Sequence, residues 1–475
     1  MLVVGEIIAN AARVSPHLPA ATLDDRTITF AELDEHSNRT ANGLAALGIG
    51  RGDRVLWWGD TSLDALPLFG ALAKLGAVFA PLNARATLEE VRPVAEYAHA
   101  RLVLADDARR DAAAELGVPF RTRVEPGSAS APRAHVDEHD AHVIFFTSGS
   151  TGRPKGVVLS HRANWLRTYP GATTTAGGAG TVCMFPLFHM AGWTIALGAW
   201  QGRRPVHFVR SPDAETLLAT TERHRAARLY CIPAVWARVL EQDLGRWDLS
   251  ALVEADTGTS ATPPELLRAI KDALPWTVTR VFYGSTEAGP GVQLGDADLF
   301  RKPGSVGVPQ PGVELKLHDG EVCLRSPFLM DGYFDAPEAT ADALRDGWYH
   351  TGDLGAVDDE GYLSIVGRAR DVIRTGGETV APPEVEHVLA AHPAVADIAV
   401  VGVPDAQWGE VVTAVVVARP GAAPPSVDDL RTFCDGRLAA FKQPRRVAVV
   451  DALPRTAATG QVQRTLIVER LVAGT

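Results

Sequence analysis

Residues 147–156, TSGSTGRPKG, gather four hydroxyls (Thr147, Ser148, Ser150 and Thr151) with Gly149, Gly152 and Lys155. A turn of this composition lets backbone N–H groups converge on an anion, and Lys155 supplies a point charge. The run lies between HVIFF at 142–146 and GVVL at 156–159, two apolar strand patterns. A flexible linker is not usually clamped between buried strands, so the chemistry indicated is phosphate binding. The spacing is not that of a Walker loop, because Pro154 stands where the second glycine belongs.

Other short runs are bland when taken singly. YGSTE at 283–287 is a strand-end turn, TGD at 351–353 is an aspartate beside a glycine, and TTTAGGAG at 173–180 reads as a surface loop. In their order along the chain, however, TSGSTGRPKG, YGSTE, TGD and GRARD at 367–371 together resemble the motifs of the adenylate-forming superfamily. That family includes acyl-CoA synthetases, peptide-synthetase adenylation domains and firefly-type luciferases, and the resemblance covers nearly the whole chain.

The resemblance implies a two-step reaction. A carboxylate attacks the α-phosphate of ATP to give an acyl adenylate and pyrophosphate, and a thiol then expels AMP. Residues Thr147, Ser148, Gly149, Ser150, Thr151, Gly152 and Lys155 would cradle phosphate. Tyr283 and Gly284 would meet the adenine, Thr286 the α-phosphate, and Glu287 would hold Mg²⁺, a hard cation that wants carboxylate oxygen. Asp353 would accept both ribose hydroxyls with Arg368 in support, and Arg370 would be the pivot of a mobile C-terminal domain. Gly376 and Gly377 would line the tunnel by which CoA, or the phosphopantetheine of an acyl carrier protein, reaches the acyl group.

The acid end is less sharply written. His189 in PLFHMAGW would sit near the acyl pocket, with Trp236 in CIPAVW and Gly258, Thr259 and Ser260 in its walls. Many relatives carry Gly-Gly-Ala where this chain has Gly258-Thr259-Ser260. Trp193 and Trp236 read equally well as pocket bulk and as core packing. The expected substrate is a compact, aromatic or functionalised carboxylic acid rather than a long straight chain.

The last motif departs from the family. Relatives end with a run like PRTxTGK, whose lysine contacts the acyl carboxylate and α-phosphate during adenylation. Here the run is PRTAATGQ at 454–461, with Gln461 in the lysine position, one extra alanine, and no lysine after Lys442. Three explanations stand: a synthetase slowed in its first step, one shifted to an unusual oxyacid, or a nucleotide-binding relative that no longer catalyses.

These residues need a scaffold, and the patterning supplies one. TITF at 27–30, RVLWW at 54–58 and AVFA at 77–80 read as strands, separated by helical spacing over 31–47 and 63–75. The alternation predicts an α/β fold with largely parallel sheets, followed by a β-rich section around 306–317. Pro382-Pro383 opens a helix, strands are expected at 398–401, 411–417 and 447–450, and helices over 427–438 and from near Val462. The expected division is a large domain over 1–368 and a small mobile α+β domain over 369–475.

Composition narrows the partners. The net charge of −11 argues against nucleic acid or an anionic membrane as a general partner. Cys183, Cys231, Cys323 and Cys434 lie far apart without a CxxC pair, as buried thiols in a reducing compartment would. No run approaches the about 18 apolar residues of a membrane span. The N-terminal residues lack a signal-peptide pattern, so a cytoplasmic location is expected.

Overall fold

In the computed structural model, described for residues 1–147, 155–174, 179–375, 378–405, 407–456 and 460–473, the chain divides into two compact units. One holds 1–314 and 324–349, the other 315–323 and 350–475. The fold is mixed α/β, as the alternation predicts.

The first unit is built on two layered sheets. One runs, in spatial order, Val308–Pro309, Gly289–Leu294, Val281–Ser285, Glu254–Gly258, Arg228–Tyr230, Thr181–Cys183, Val206–Phe208, Pro19–Leu23 and Arg26–Thr29. Its interior pairs are parallel and its two edges antiparallel. The other runs Gly332–Tyr333, Lys155–Ser160, Ala141–Thr147, Val78–Pro81, Arg54–Trp58, Leu102–Ala105 and Phe120–Arg121. Strands buried on both faces, such as Val78–Pro81, read as unbroken apolar runs because helices cover them.

Local chemistry moves some boundaries from their expected places. Phe30 opens a helix, Phe30–Ala46, instead of ending a strand, since Thr29 and Glu32 form a capping box there. The helix expected over 427–438 is Val427–Cys434: Asp435 leaves helical geometry and Gly436 takes φ 71°. Thr173 and Thr174 belong to the helix His161–Thr174 rather than to the loop expected from 173, and 175–178 lie outside the described residues.

The second unit carries a sheet ordered Glu378–Val380, Ile373–Thr375, Gly409–Ala418 and Val395–Asp405, with Arg446–Val449 also paired to Gly409–Ala418. One cluster packs Ile373, Val385, Leu389 and Leu430 together, and another packs Val401, Val411, Leu453 and Ile467. Pro382 and Pro383 start the helix Pro382–Leu389, as expected of proline in a first turn. The final helix is Arg464–Ala473, two residues later than expected, because Val462 bridges back to Arg455. No helix among the described residues is long and apolar enough to cross a membrane, and all four cysteines are buried and unbridged.

Candidate active site

The strands Ala141–Thr147 and Lys155–Ser160 pair antiparallel, with Thr147 opposite Lys155. The two ends of the hydroxyl–glycine run are therefore neighbours, while Ser148, Gly149, Ser150, Thr151 and Gly152 lie outside the described residues. On the other side of Lys155–Ser160 sits Gly332–Tyr333, with Tyr333 opposite Val157. Lys155 and Val157 share a face at period two, which sets Tyr333 diagonally against Lys155. The Lys155 ammonium lies 4.9 Å from the centre of the Tyr333 ring.

Tyr333 links this strand to the YGSTE turn. Its hydroxyl donates to Glu287 Oε1 at 3.0 Å. The Tyr333 hydroxyl in turn hydrogen-bonds with Tyr349, and Tyr349 with Ser285. Burial first, and the Glu287 carboxylate second, push both phenols above their ordinary range, so they stay protonated and available as donors. A chain of hydroxyls ending on a carboxylate polarises along its length. It fixes Glu287 while leaving the second carboxylate oxygen for another ligand.

The turn itself comes from a bulged hairpin, Val281–Ser285 against Gly289–Leu294, irregular between Tyr283 and Gly284. Gly284 cannot be replaced cheaply: a Cβ there would lie 2.1 Å from the Gly289 carbonyl oxygen. Met330 N–H donates to the Glu287 carbonyl at 2.7 Å, tying the turn to the segment that carries Tyr333.

Arg167 is a member of this site that the motifs did not reveal. It is 1% exposed on the helix His161–Thr174. Its guanidinium donates to the Thr286 carbonyl at 2.8 Å and to the Phe328 carbonyl at 2.5 Å, spanning both sides of the turn. Burial lowers its pKa to about 10, opposed by Asp331 and Glu287, so it remains charged at neutral pH. A signal existed in the sequence: His161, Asn164, Arg167 and Thr168 form a polar stripe at helical spacing, and all four are buried. A buried polar stripe demands partners.

Of the residues expected to line the acyl pocket, His189 caps the helix Met190–Gln201, its Nδ1 accepting from Ala191 N–H at 3.2 Å. That acceptor role fixes the neutral tautomer with hydrogen on Nε2, and burial lowers the imidazole pKa to about 4. Core packing describes both tryptophans. Trp193 stacks on Phe69 at 4.0 Å and donates to the Leu187 carbonyl, and Trp236 is fully buried and donates to the Asp256 carbonyl. Asp256 is itself consumed by a buried ion network, at 2.7 Å from Arg228 and 2.8 Å from Arg280. The network anchors the strand Glu254–Gly258 that presents Gly258, Thr259 and Ser260.

Gly258 adopts φ 153°, and a Cβ there would lie 2.3 Å from the Phe282 carbonyl oxygen and 2.9 Å from the Tyr230 hydroxyl. Thr259 occupies the left-handed region at φ 68°, a strained choice for a β-branched residue. Ser260 is exposed. The segment expected to form a pocket wall is thus a tight backbone corner followed by hydroxyls.

In the second unit, Asp353 and Arg368 face each other across paired strands, with 3.0 Å between Arg368 Nε and Asp353 Oδ1. The Asp353 N–H donates to Thr351 Oγ1 at 3.0 Å. Arg370 is half-exposed beside Asp371, which also meets Arg464 at 3.4 Å. Gly376 and Gly377 lie outside the described residues.

The loop that carries Gln461 is closed by its own backbone. Thr456 N–H donates to the Gln461 carbonyl at 2.8 Å, and Gln461 N–H donates back to Thr456 Oγ1 at 3.0 Å. Arg455 clamps it from below, donating to the Gly460 carbonyl and to both oxygens of Asp397, each at 2.8 Å. Residues 457–459 lie outside the described residues.

The family model for AMP-binding enzymes matches residues 8–334, and that for the AMP-binding enzyme C-terminal domain matches 384–459. A feruloyl-CoA synthase from an Amycolatopsis species is 35% identical over 95% of this chain and 97% of its own. The fatty acid–[acyl-carrier-protein] ligase ScoC of Streptomyces coeruleorubidus is 33% identical over 96% of this chain and 94% of its own. The O-succinylbenzoate coenzyme A synthetase MenE from Bacillus subtilis, solved with ATP and magnesium ion, superposes with a TM-score of 0.88 at 26% identity, covering 97% of this chain and 98% of that one. The chain belongs to the AMP-binding, adenylate-forming enzyme family, within its AMP-forming acid–thiol ligases.

Proposed function

We propose that the protein activates a compact carboxylic acid as its acyl adenylate and transfers the acyl group to CoA. The observation that carries this reading is the convergence, within the first unit, of Lys155, Tyr333 and Glu287 beside the backbone turn of Thr286. A cation, a fixed carboxylate and a rigid turn are what a triphosphate with its metal requires.

The residues present fit Mg²⁺. Glu287 is a hard oxygen donor with one oxygen pinned by Tyr333, and Mg²⁺ uses one or two carboxylates together with substrate phosphates. When bound, the ion would neutralise charge between the phosphate oxygens. Lys155 offsets phosphate charge, Tyr283 faces the base, and Arg167 holds the Thr286 peptide in place. Asp353 and Arg368 are assigned to the ribose. Asp353 would hold the two hydroxyls with its two oxygens, exchanging part of its contact with Arg368.

For the acid, the supporting features are the hydroxyl-bearing corner at Gly258, Thr259 and Ser260 and the neutral His189. The aromatic acid in the name of the feruloyl-CoA synthase relative agrees with a compact aromatic substrate. Gln461 is assigned the place of the adenylation lysine. It offers a hydrogen bond without charge, so the first step is the slowed one. Arg370 is assigned as the pivot about which the C-terminal domain, from residue 369, turns between the two steps, and Gly376 and Gly377 as the pantetheine path.

A carrier-protein acceptor is the second reading, favoured by the ScoC relative, whose name states that acceptor. One experiment tests both: pyrophosphate release across a panel of aromatic, branched and straight-chain acids, followed by product mass with CoA or holo-carrier protein. Acyl-CoA from a compact acid is expected. Thioester on carrier protein alone would replace the first reading with the second, and ATP binding without pyrophosphate release from any acid would overturn both.

A further inference from the structure

Outside the nucleotide residues, the second unit holds a cluster of three unlike donors. Glu321 and Cys323 are two apart on the strand Glu321–Arg325, so their side chains share a face, and His350 lies on Trp348–Val357. His350 Nδ1 is 2.8 Å from Glu321 Oε2 and 3.4 Å from Cys323 Sγ. One donor atom from each residue falls within 4.8 Å of the others. The sites are enclosed: Cys323 is fully buried, and the His350 and Glu321 side chains are 8% and 21% exposed.

We propose that Glu321, Cys323 and His350 form a binding site for a borderline divalent cation of the zinc class. Thiolate, imidazole and carboxylate are together the ligand types that such an ion selects, whereas Mg²⁺ and Ca²⁺ want oxygen alone. At zinc–ligand lengths, tetrahedral donors stand about 3.4–3.6 Å apart; the Cys323–His350 spacing already matches, and the Glu321 carboxylate would draw back from His350 by about half an ångström or more as the ion enters. The thiol proton leaves to solvent as the sulfur binds. Solvent or His318 completes the coordination, the His318 ring lying edge-on to His350 at 5.8 Å.

Without an ion, Glu321 pairs with His350 and the Cys323 thiol donates to the Glu321 carbonyl at 3.7 Å. The Glu321 carboxylate has a second function that makes occupancy consequential. Its Oε1 accepts the Gly352 N–H at 2.9 Å while Oε2 faces the cluster. A bound cation would therefore stiffen the turn immediately before Asp353, and this consequence is readable apart from catalysis.

The test uses the full chain and Co²⁺ alone, then Zn²⁺ in competition. One Co²⁺ per chain is expected, with thiolate-to-cobalt charge-transfer absorption that Zn²⁺ abolishes. C323S should lose that absorption and C434S should keep it. H350Q should lose affinity at least as much as the about 10–100-fold that changes around a metal's ligands cost. Hydrogen exchange at Gly352 should slow on Zn²⁺ addition in the parent and not in H350Q. If C323S fails to fold, as its thermal melt would show, H350Q and E321Q carry the comparison. No charge-transfer band in the parent, a band lost in C434S instead, or unchanged affinity in H350Q would overturn the site.

Discussion

The turn around Glu287 and the loop around Gln461 are both short and glycine-containing, yet they are held in opposite ways. Glu287 is fixed by side chains brought from distant strands and a helix: Tyr333, Tyr349 and Arg167. The Gln461 loop is fixed by its own main chain and by Arg455 directly at its base. The first design pre-orders charge where phosphate is expected, at the cost of burying an arginine. The second orders mainly backbone, with the Thr456 hydroxyl and Arg455 as its side-chain supports.

The largest effect should come from breaking the charged side of this contrast. Glu287→Gln should slow pyrophosphate release by about 10²–10³-fold, as loss of one charged transition-state contact does. A magnesium titration should shift to higher concentration, and an unaltered titration would make Glu287 structural. Lys155→Ala should weaken MgATP binding by calorimetry with little change for the acid, and unchanged ATP affinity would refute the phosphate assignment.

Arg167→Ala asks whether the turn needs its distant support. Leaving the Thr286 and Phe328 carbonyls without their donor should cost about 1–3 kcal/mol in denaturant unfolding. The accompanying loss in adenylation should be about tenfold, since small misplacement of reacting groups is expensive. Unfolding altered with adenylation intact would separate the turn from catalysis.

Restoring a cation in the other loop should act in the opposite direction. Gln461→Lys, alone and with Ala458 deleted, should raise pyrophosphate release, and should leave thioester formation from supplied acyl adenylate unchanged. No rise in either variant, with parental turnover already fast, would show that this chemistry does not use the lysine. Arg370→Pro, which locks φ near about −65°, should impair one of these half-reactions and spare the other. Equal impairment of both would remove the pivot.

The last effect is on stability rather than catalysis, a pH dependence carried by histidines of the first unit. His142, His161 and His207 are buried there, and burial lowers all three, His161 and His207 to about 4. The folded protein thus binds fewer protons than the unfolded chain between the ordinary histidine pKa and about 4. Stability should be full above about pH 6.5 and fall with acidification, by at most about 1.4 kcal/mol per pH unit for each such histidine. Denaturant melts at pH 7 and pH 5 measure it, and His161→Gln should flatten the slope. A melt insensitive to this pH step would mean these rings are solvated.

The sequence by itself determined the fold class and, through the order of its motifs, the family. The motifs are written in contiguous runs: hydroxyls and glycines between two apolar strands, the YGSTE turn, and an aspartate in TGD. Most strand and helix positions followed for the same reason, since periodicity is local, and the misplaced ends at Phe30, Asp435 and Val462 turned on caps and one bridge. The tertiary structure alone decided what joins across long separations. Arg167 meets Thr286 119 residues away, and Tyr333 meets Glu287 46 residues away. It also decided that Trp193 and Trp236 pack in the core, a choice between two environments for the same apolar side chain. Burial and hydrogen bonding between remote segments depend on which surfaces the whole chain brings together, and no short window of sequence contains that information.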